Sequence, residues 1–262
     1  MYAELYTKLP DREKYLARIK AKMPQVPDLN NMNTLILANQ CHIPFENLDI
    51  YTFQKEISLG IEDIYEKVIL KKRGGYCFEL NALFLALLQE CGYQAYSCQC
   101  RILRGKNFTP PSLHRGILVK LKEQLWFCDV GYGGPMPAGA LLVADGFEAA
   151  YSNQTFRIDQ ADRYWWTISY ISDRGTEEVI QFTTMPQDPV EFLAPNEYCS
   201  QNEKSVFRSA LLVNLRTLGG SLSITNDLFT EINNRQRREK KIQSPEELNL
   251  ILKTYFGIDL SQ

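Results

Sequence analysis

The stretch Lys72-Arg73-Gly74-Gly75-Tyr76-Cys77-Phe78-Glu79-Leu80-Asn81, KRGGYCFELN, sets a cysteine between a glycine pair and a run that reads as helix. The glycines end the preceding helical pattern, IEDIYEKVILKK, in its C′ region, where a positive φ is cheap for glycine. The run that follows, CFELNALFLALLQECG, carries Leu80, Leu83, Phe84, Leu87 and Leu88 on overlapping i, i+3, i+4 spacings and stops at Gly92. That spacing predicts a central, buried helix that begins at Cys77. Free N–H groups and the helix dipole at such a start favour a thiolate, although residue type alone favours a core thiol over a nucleophile.

Outward from this helix the chain changes character. Toward the N-terminus, Asp11 can cap a helix over REKYLARIKAKM, and TLILANQCH has the apolar spacing of another. From Tyr93 onward the runs QAYSCQCRIL, HRGILVKL, QLWFCDVG, TFRI, YWWTISYI and EEVIQFTTM read as strands between turn-rich pieces. Helices followed by strands predict an α+β chain with an antiparallel barrel or sheet. After about Pro189 the pattern is mixed. It closes on SPEELNLILKTYFG, where Ser244 and Glu247 form a capping box, Pro245 sits at N1 and Gly257 follows the last turn. The charged run NNRQRREKK reads as a solvated loop or turn.

Composition narrows the function. The 262 residues are 45% hydrophobic, enough for a continuous core, and a net charge of -2 gives no field for nucleic acid. The expected partner is a small molecule. The N-terminus lacks a basic stretch followed by an apolar one, and no apolar run approaches the roughly 18 residues of a spanning helix, which predicts no membrane association and a cytoplasmic location. Seven cysteines without a disulfide rhythm point to reduced thiols, with Cys41, Cys91, Cys128 and Cys199 as small core hydrophobes. Cys98 and Cys100 lack a second ligand pair, so no metal site is expected, and no nucleotide-binding glycine loop is present.

A cysteine nucleophile needs a base, and the chain has two histidines. His42 falls at the end of a helical pattern, where a histidine completes carbonyl hydrogen bonds. His114 opens a strand directly after the loop RGKNFTPPSL and can project into a cleft. Asp129 is the lone acid of LWFCDVG, and a buried carboxylate there needs a partner. A hairpin through KLKEQ would bring the two together at one end of a sheet if register permits; an exposed strand-start histidine and a turn aspartate remain the alternatives. Arg73 and Glu46 are expected to pair, tying the second helical segment to the cysteine turn.

These residues carry a resemblance. R73-G-G-Y-C-F-E-L-N81 resembles the RGGxCxExN signature of the arylamine N-acetyltransferases, H42-I-P-F-E-N-L48 their PFENL segment, and D129-V-G-Y-G-G134 their DVGFG turn. N196-E-Y-C and S205-V-F207 resemble later segments of the family, so the likeness runs along most of the chain. The resemblance implies an N-terminal helical bundle over 1–92, a central antiparallel β-barrel over 93–188 and a C-terminal α/β lid over 189–262. It implies a papain-like site with Cys77 as the acetylated nucleophile, His114 as base and Asp129 as its orienter. Phe45, Ile102, Tyr132 and Phe207 would bind the acceptor, and Gly131 and Gly133 the CoA.

The family takes acetyl from acetyl-CoA as a co-substrate, holds no permanent cofactor, and passes the group to aromatic amines or hydrazines in xenobiotic metabolism. Two departures stand out: Leu113 precedes the histidine where the family commonly has threonine, and Tyr132 replaces a phenylalanine. The alternatives are an amide synthase joining an aromatic amine to a carrier-bound polyketide, a cysteine protease, and a catalytically idle binding module.

Overall fold

A computed structural model gives the fold of residues 2–151 and 154–260. Helix α1 (Arg12–Arg18) starts at Asp11, whose carboxylate accepts from the Lys14 N–H, and α2 (Leu29–His42) starts at Asp28 in the same way. Strand β1 (Phe45–Glu46), helix α3 (Leu48–Tyr51) and helix α4 (Ile61–Tyr65) follow, the last continued by a π turn over Glu66–Leu70. Helix α5 (Cys77–Glu90) then runs through the centre, and Gly92, at φ 85°, lets the chain leave it. Apolar side chains recur on every side of α5, and a helix of that kind is stable only when enclosed. Its residues from Cys77 to Leu85 are all buried.

The reversal between α4 and α5 uses its glycines differently from the expectation. The left-handed conformation falls on Lys72, at φ 54°, and neither Gly74 nor Gly75 needs it. A Cβ on Gly74 would stand 2.1 Å from the Pro44 carbonyl oxygen, and one on Gly75 2.8 Å from Glu79 Oε2. The pair is there for close approach. Glu46 N–H donates to the Gly75 carbonyl at 2.8 Å, so β1 is laced directly to the turn before Cys77.

The middle of the chain forms an antiparallel sheet from β2 (Gln94–Ile102), β3 (His114–Leu121), β4 (Gln124–Cys128), β5 (Leu141–Leu142), β6 (Phe147–Tyr151), β7 (Gln154–Gln160), β8 (Trp165–Ser172) and β9 (Gly175–Thr183). The order is β5-β4-β3-β2-β9-β8-β7-β6, and a short turn joins β5 to β6, so the sheet curls into a nearly closed barrel. Alternation divides its side chains: Leu118, Phe127, Phe156, Ile180 and Phe182 fill the interior, while Ile117, Val119 and Cys128 pack outward against the helices. The α+β architecture matches the reading of the sequence.

Helices α6 (Leu193–Gln201) and α7 (Val206–Ser209) precede β10 (Leu212–Thr217), β11 (Gly220–Thr225), β12 (Leu228–Asn233) and β13 (Gln236–Lys241), and α8 (Pro245–Ile251) follows. The second sheet has the order β1-β10-β11-β12-β13. Phe45 and Glu46 thus pair with Asn214 and Val213, across more than half the chain. The run NNRQRREKK is no loop: Asn234 and Arg235, at φ 48° and 68°, turn a hairpin, and β13 is an edge strand exposed along its length. Left-handed turn residues suit a two-residue hairpin, and charges on an edge strand keep it from pairing further. Val213, Ile224, Phe229, Leu252 and Phe256 make a separate core beneath α8. Among the described residues no helix is long and apolar enough to cross a membrane.

Candidate active site

The β3–β4 hairpin pairs Ile117 with Cys128. Continued one step, that register sets Gly116 opposite Asp129, which makes His114 and Asp129 diagonal neighbours on one face of the sheet, a separation that long side chains bridge. They meet: His114 Nε2 lies 2.5 Å from Asp129 Oδ2, and both side chains are buried. The other imidazole nitrogen, Nδ1, has no hydrogen bond to the protein among the described residues. With Nε2–H donating to the carboxylate, Nδ1 is the nitrogen left to take up a proton.

Asp129 is held from several directions. Its Oδ1 accepts from Gly131 N–H at 2.7 Å and from Asn81 Nδ2 at 2.8 Å, while Gln40 Nε2 donates to its carbonyl at 2.9 Å. Asn81 stands one helical turn beyond Cys77, on the same face of α5. It also donates to the Arg115 carbonyl at 2.6 Å and accepts from Val130 N–H at 2.9 Å. One side chain therefore joins the cysteine helix, the histidine strand and the aspartate turn.

Cys77 is 2% exposed and stands in the first turn of α5. Burial pushes its thiol well above the ordinary value of 9.0, and Cys199 and Asp129 push the same way; the backbone N–H groups of Arg115 and Phe78 oppose them. Enclosure outweighs the helix dipole, so position at a helix start does not by itself produce a thiolate here. The Arg115 N–H belongs to the peptide that joins His114 to Arg115, which puts the histidine backbone beside the sulfur. A Cβ on Gly131 would stand 2.8 Å from the Cys77 Cα, so the aspartate turn is pressed against the cysteine from the other side.

The remaining sequence-derived residues divide. Phe45, Tyr132 and Gly133 line a cavity of about 870 Å³ between one end of the barrel and the second sheet, together with Arg104, Arg216 and Arg235. Cys77 and His114 do not line it; Tyr132, which does, has its ring centroid 5.9 Å from that of His114. Burial raises the Tyr132 hydroxyl to about 12, opposed by Arg104 beside it. Phe207 packs on Phe45 and Tyr76, at centroid separations of 6.3 and 5.3 Å, outside the cavity wall. Ile102 packs on the barrel core, and Gly131 is taken up by its contacts with Cys77, Asn81 and Asp129.

Arg73 is 2.8 Å from Glu46 Oε1 and 3.2 Å from Asp49 Oδ1, and Lys67 is 2.8 Å from both Asp49 and Glu79. His42 Nδ1 bonds the Ala38 carbonyl at 2.9 Å, inside its own helix. Sequence reading passed over Asn81 and Gln40 as positioning groups. An asparagine one turn from the cysteine in an otherwise apolar helix was an available signal; Gln40 offered none. Among the described residues no group of three or more His, Cys, Asp or Glu could hold a metal ion.

Comparison with known proteins places the chain in a family. A family model described as N-acetyltransferase matches residues 28–262. The arylamine N-acetyltransferase of Escherichia coli (strain K12) is 30% identical over 254 residues, which cover 95% of this chain and 89% of that protein. Among solved structures, the arylamine N-acetyltransferase from Salmonella typhimurium superposes with a TM-score of 0.90 at 28% identity, over 96% of this chain and 92% of the other. The Mycobacterium marinum enzyme, in complex with CoA, has the same fold, with a TM-score of 0.89 at 22% identity over 96% and 94% of the two chains.

Proposed function

Since the chain belongs to the arylamine N-acetyltransferase family, we propose that it moves acetyl from acetyl-CoA to aromatic amines and hydrazines through an acetyl-cysteine at Cys77. The observation that carries this reading is the buried 2.5 Å contact between His114 and Asp129, with Nδ1 free and the Arg115 N–H directed at the Cys77 sulfur. A neutral thiol raised by burial needs a base to ionise it, and an imidazole gripped by a carboxylate is such a base.

In the first half-reaction the Cys77 Sγ attacks the thioester carbonyl carbon and its proton passes to His114 Nδ1. The carbon–sulfur bond to CoA breaks, and CoA leaves with the proton that His114 returns. In the second, the amine attacks the acetyl-cysteine carbonyl, His114 takes one proton from nitrogen, and the Cys77 sulfur departs to recover it. Among the described residues the Cys77 N–H, in the first turn of α5, has no partner in the protein and is the donor available for the oxyanion of each step. Asp129 steadies the imidazolium throughout.

The cavity beside Phe45, Tyr132 and Gly133 suits the substrates. Its three arginines answer the phosphates of CoA, and its aromatic wall answers an arylamine ring. The CoA complex of the Mycobacterium marinum protein supports CoA as the acyl carrier. In the test, purified protein is mixed with acetyl-CoA and a panel of arylamines and hydrazines while free CoA is followed. A stoichiometric burst of CoA without amine, then amine-dependent turnover with parallel-line initial-rate plots, is expected. Turnover that requires both substrates bound together, with no burst, would overturn the two-step path.

A further inference from the structure

A second cavity, of about 400 Å³, lies on the far side of β3 from the barrel interior, between α5, β2 and the segment around Pro186–Pro189. Its wall includes Arg115, which is 3% exposed. The Arg115 Nε donates to Ser97 Oγ at 2.9 Å, and the guanidinium sits 4.7 Å above the Phe192 ring centroid. Those two contacts use one of its five N–H donors and one face. Among the described residues no carboxylate lies within ion-pair distance of it, and neither Nη1 nor Nη2 has a hydrogen bond to the protein.

The partly buried cations at the start of α5 are matched: Lys67 by Glu79 and Asp49, Arg73 by Glu46 and Asp49. Arg115 is the exception. A buried charge without a counter-charge is costly, and burial draws the group down to about 10. A planar fork of free donors facing a cavity fits one ligand chemistry well, an oxyanion that accepts two parallel hydrogen bonds. Ser97, Thr7 and Gln89 add polar groups around it; Asp188, the acid of the same wall, is exposed.

We propose that this second cavity binds a small oxyanion, inorganic phosphate or a short carboxylate, on the Nη1 and Nη2 groups of Arg115. The site is separate from the 870 Å³ cavity and does not depend on the acetyl-transfer reading. It supplies the missing counter-charge one residue from His114.

The test reads thermal unfolding of the purified full chain, with inorganic phosphate and acetate titrated separately against sodium chloride at constant ionic strength. One of the two should raise the midpoint along a saturable curve, by about 5–10 °C at a hundredfold excess over its dissociation constant, and which one does so identifies the ligand. Arg115→Lys keeps the positive charge but loses the planar fork and should shift the half-maximal anion concentration upward about tenfold or more; Arg115→Met should abolish the rise. A flat response of the unmodified chain to both anions, or an undiminished saturable rise in a folded Arg115→Lys or Arg115→Met protein, overturns the proposal, the latter because the anion then sits elsewhere.

Discussion

The first turn of α5 is flanked by two buried polar clusters that are finished to different degrees. On one side Lys67 and Arg73 meet Glu79, Asp49 and Glu46, and the remaining carboxylate oxygens take backbone donors: Leu48 N–H on Glu46 at 2.7 Å and Tyr76 N–H on Glu79 at 3.1 Å. Nothing there is left to react. On the other side Asp129 is saturated by His114, Asn81 and Gly131, yet among the described residues the second histidine nitrogen has no protein partner and the cysteine sulfur meets only backbone N–H groups. The paired cluster fixes where α5 begins. The unfinished one has capacity left for a substrate, and burial makes that capacity stronger.

Substitutions can break this contrast at its strongest point first. Cys77→Ala should abolish acyl transfer while the unfolding midpoint moves little; transfer at an unaltered rate would remove Cys77 from the chemistry. Asp129→Asn keeps an acceptor for Gly131 N–H but no longer charges the imidazole partner, and kcat should fall about 10³- to 10⁴-fold with KM nearly constant. A mere stability change with full kcat would make His114–Asp129 another structural pair.

The paired side predicts the reverse signature. Lys67→Met leaves Glu79 and Asp49 short of a counter-charge, and denaturant unfolding should show a loss of about 3–5 kcal/mol, with kcat of the folded protein changed far less. Its pH dependence has a definite sign. Burial alone would raise Asp49, but Lys67 and Arg73 outweigh it and hold the carboxyl below its ordinary 3.8. A depressed folded-state value contributes stability above the unfolded value, about 3.9, that is lost as pH falls through the folded one. Removing Lys67 should therefore move the onset of acid unfolding to higher pH; an unchanged acid limb would show that Arg73 suffices. The smallest effect belongs to the cavity wall. Tyr132→Phe should alter KM for individual amines by less than about tenfold and leave the CoA burst intact.

Much of this was legible in the chain because it is local. The period of CFELNALFLALLQ declared a buried helix, Asp11 and Ser244 marked helix starts, and alternation marked β2 through β4. Long-range consequences were harder. Gly74 and Gly75 looked like positive-φ residues, but the neighbours that demand glycine, Pro44 and Glu79, are visible only once β1 lies beside the turn. NNRQRREKK carries no apolar alternation because β13 is exposed on both faces, so its pairing with β12 left no trace in hydropathy.

By itself the sequence determined the α+β class, the residues with reactive groups, and the short list of partners each could have, since two histidines and one isolated strand aspartate leave few combinations. Tertiary structure alone decided that the β3–β4 register makes His114 and Asp129 diagonal neighbours, that Asn81 and Gln40 brace them, and that the Cys77 thiol is raised rather than lowered. Local pattern follows from backbone geometry within a few residues. Desolvation and register depend on what is packed around a group, and for Cys77 those surroundings come from β3, the Asp129 turn and Cys199.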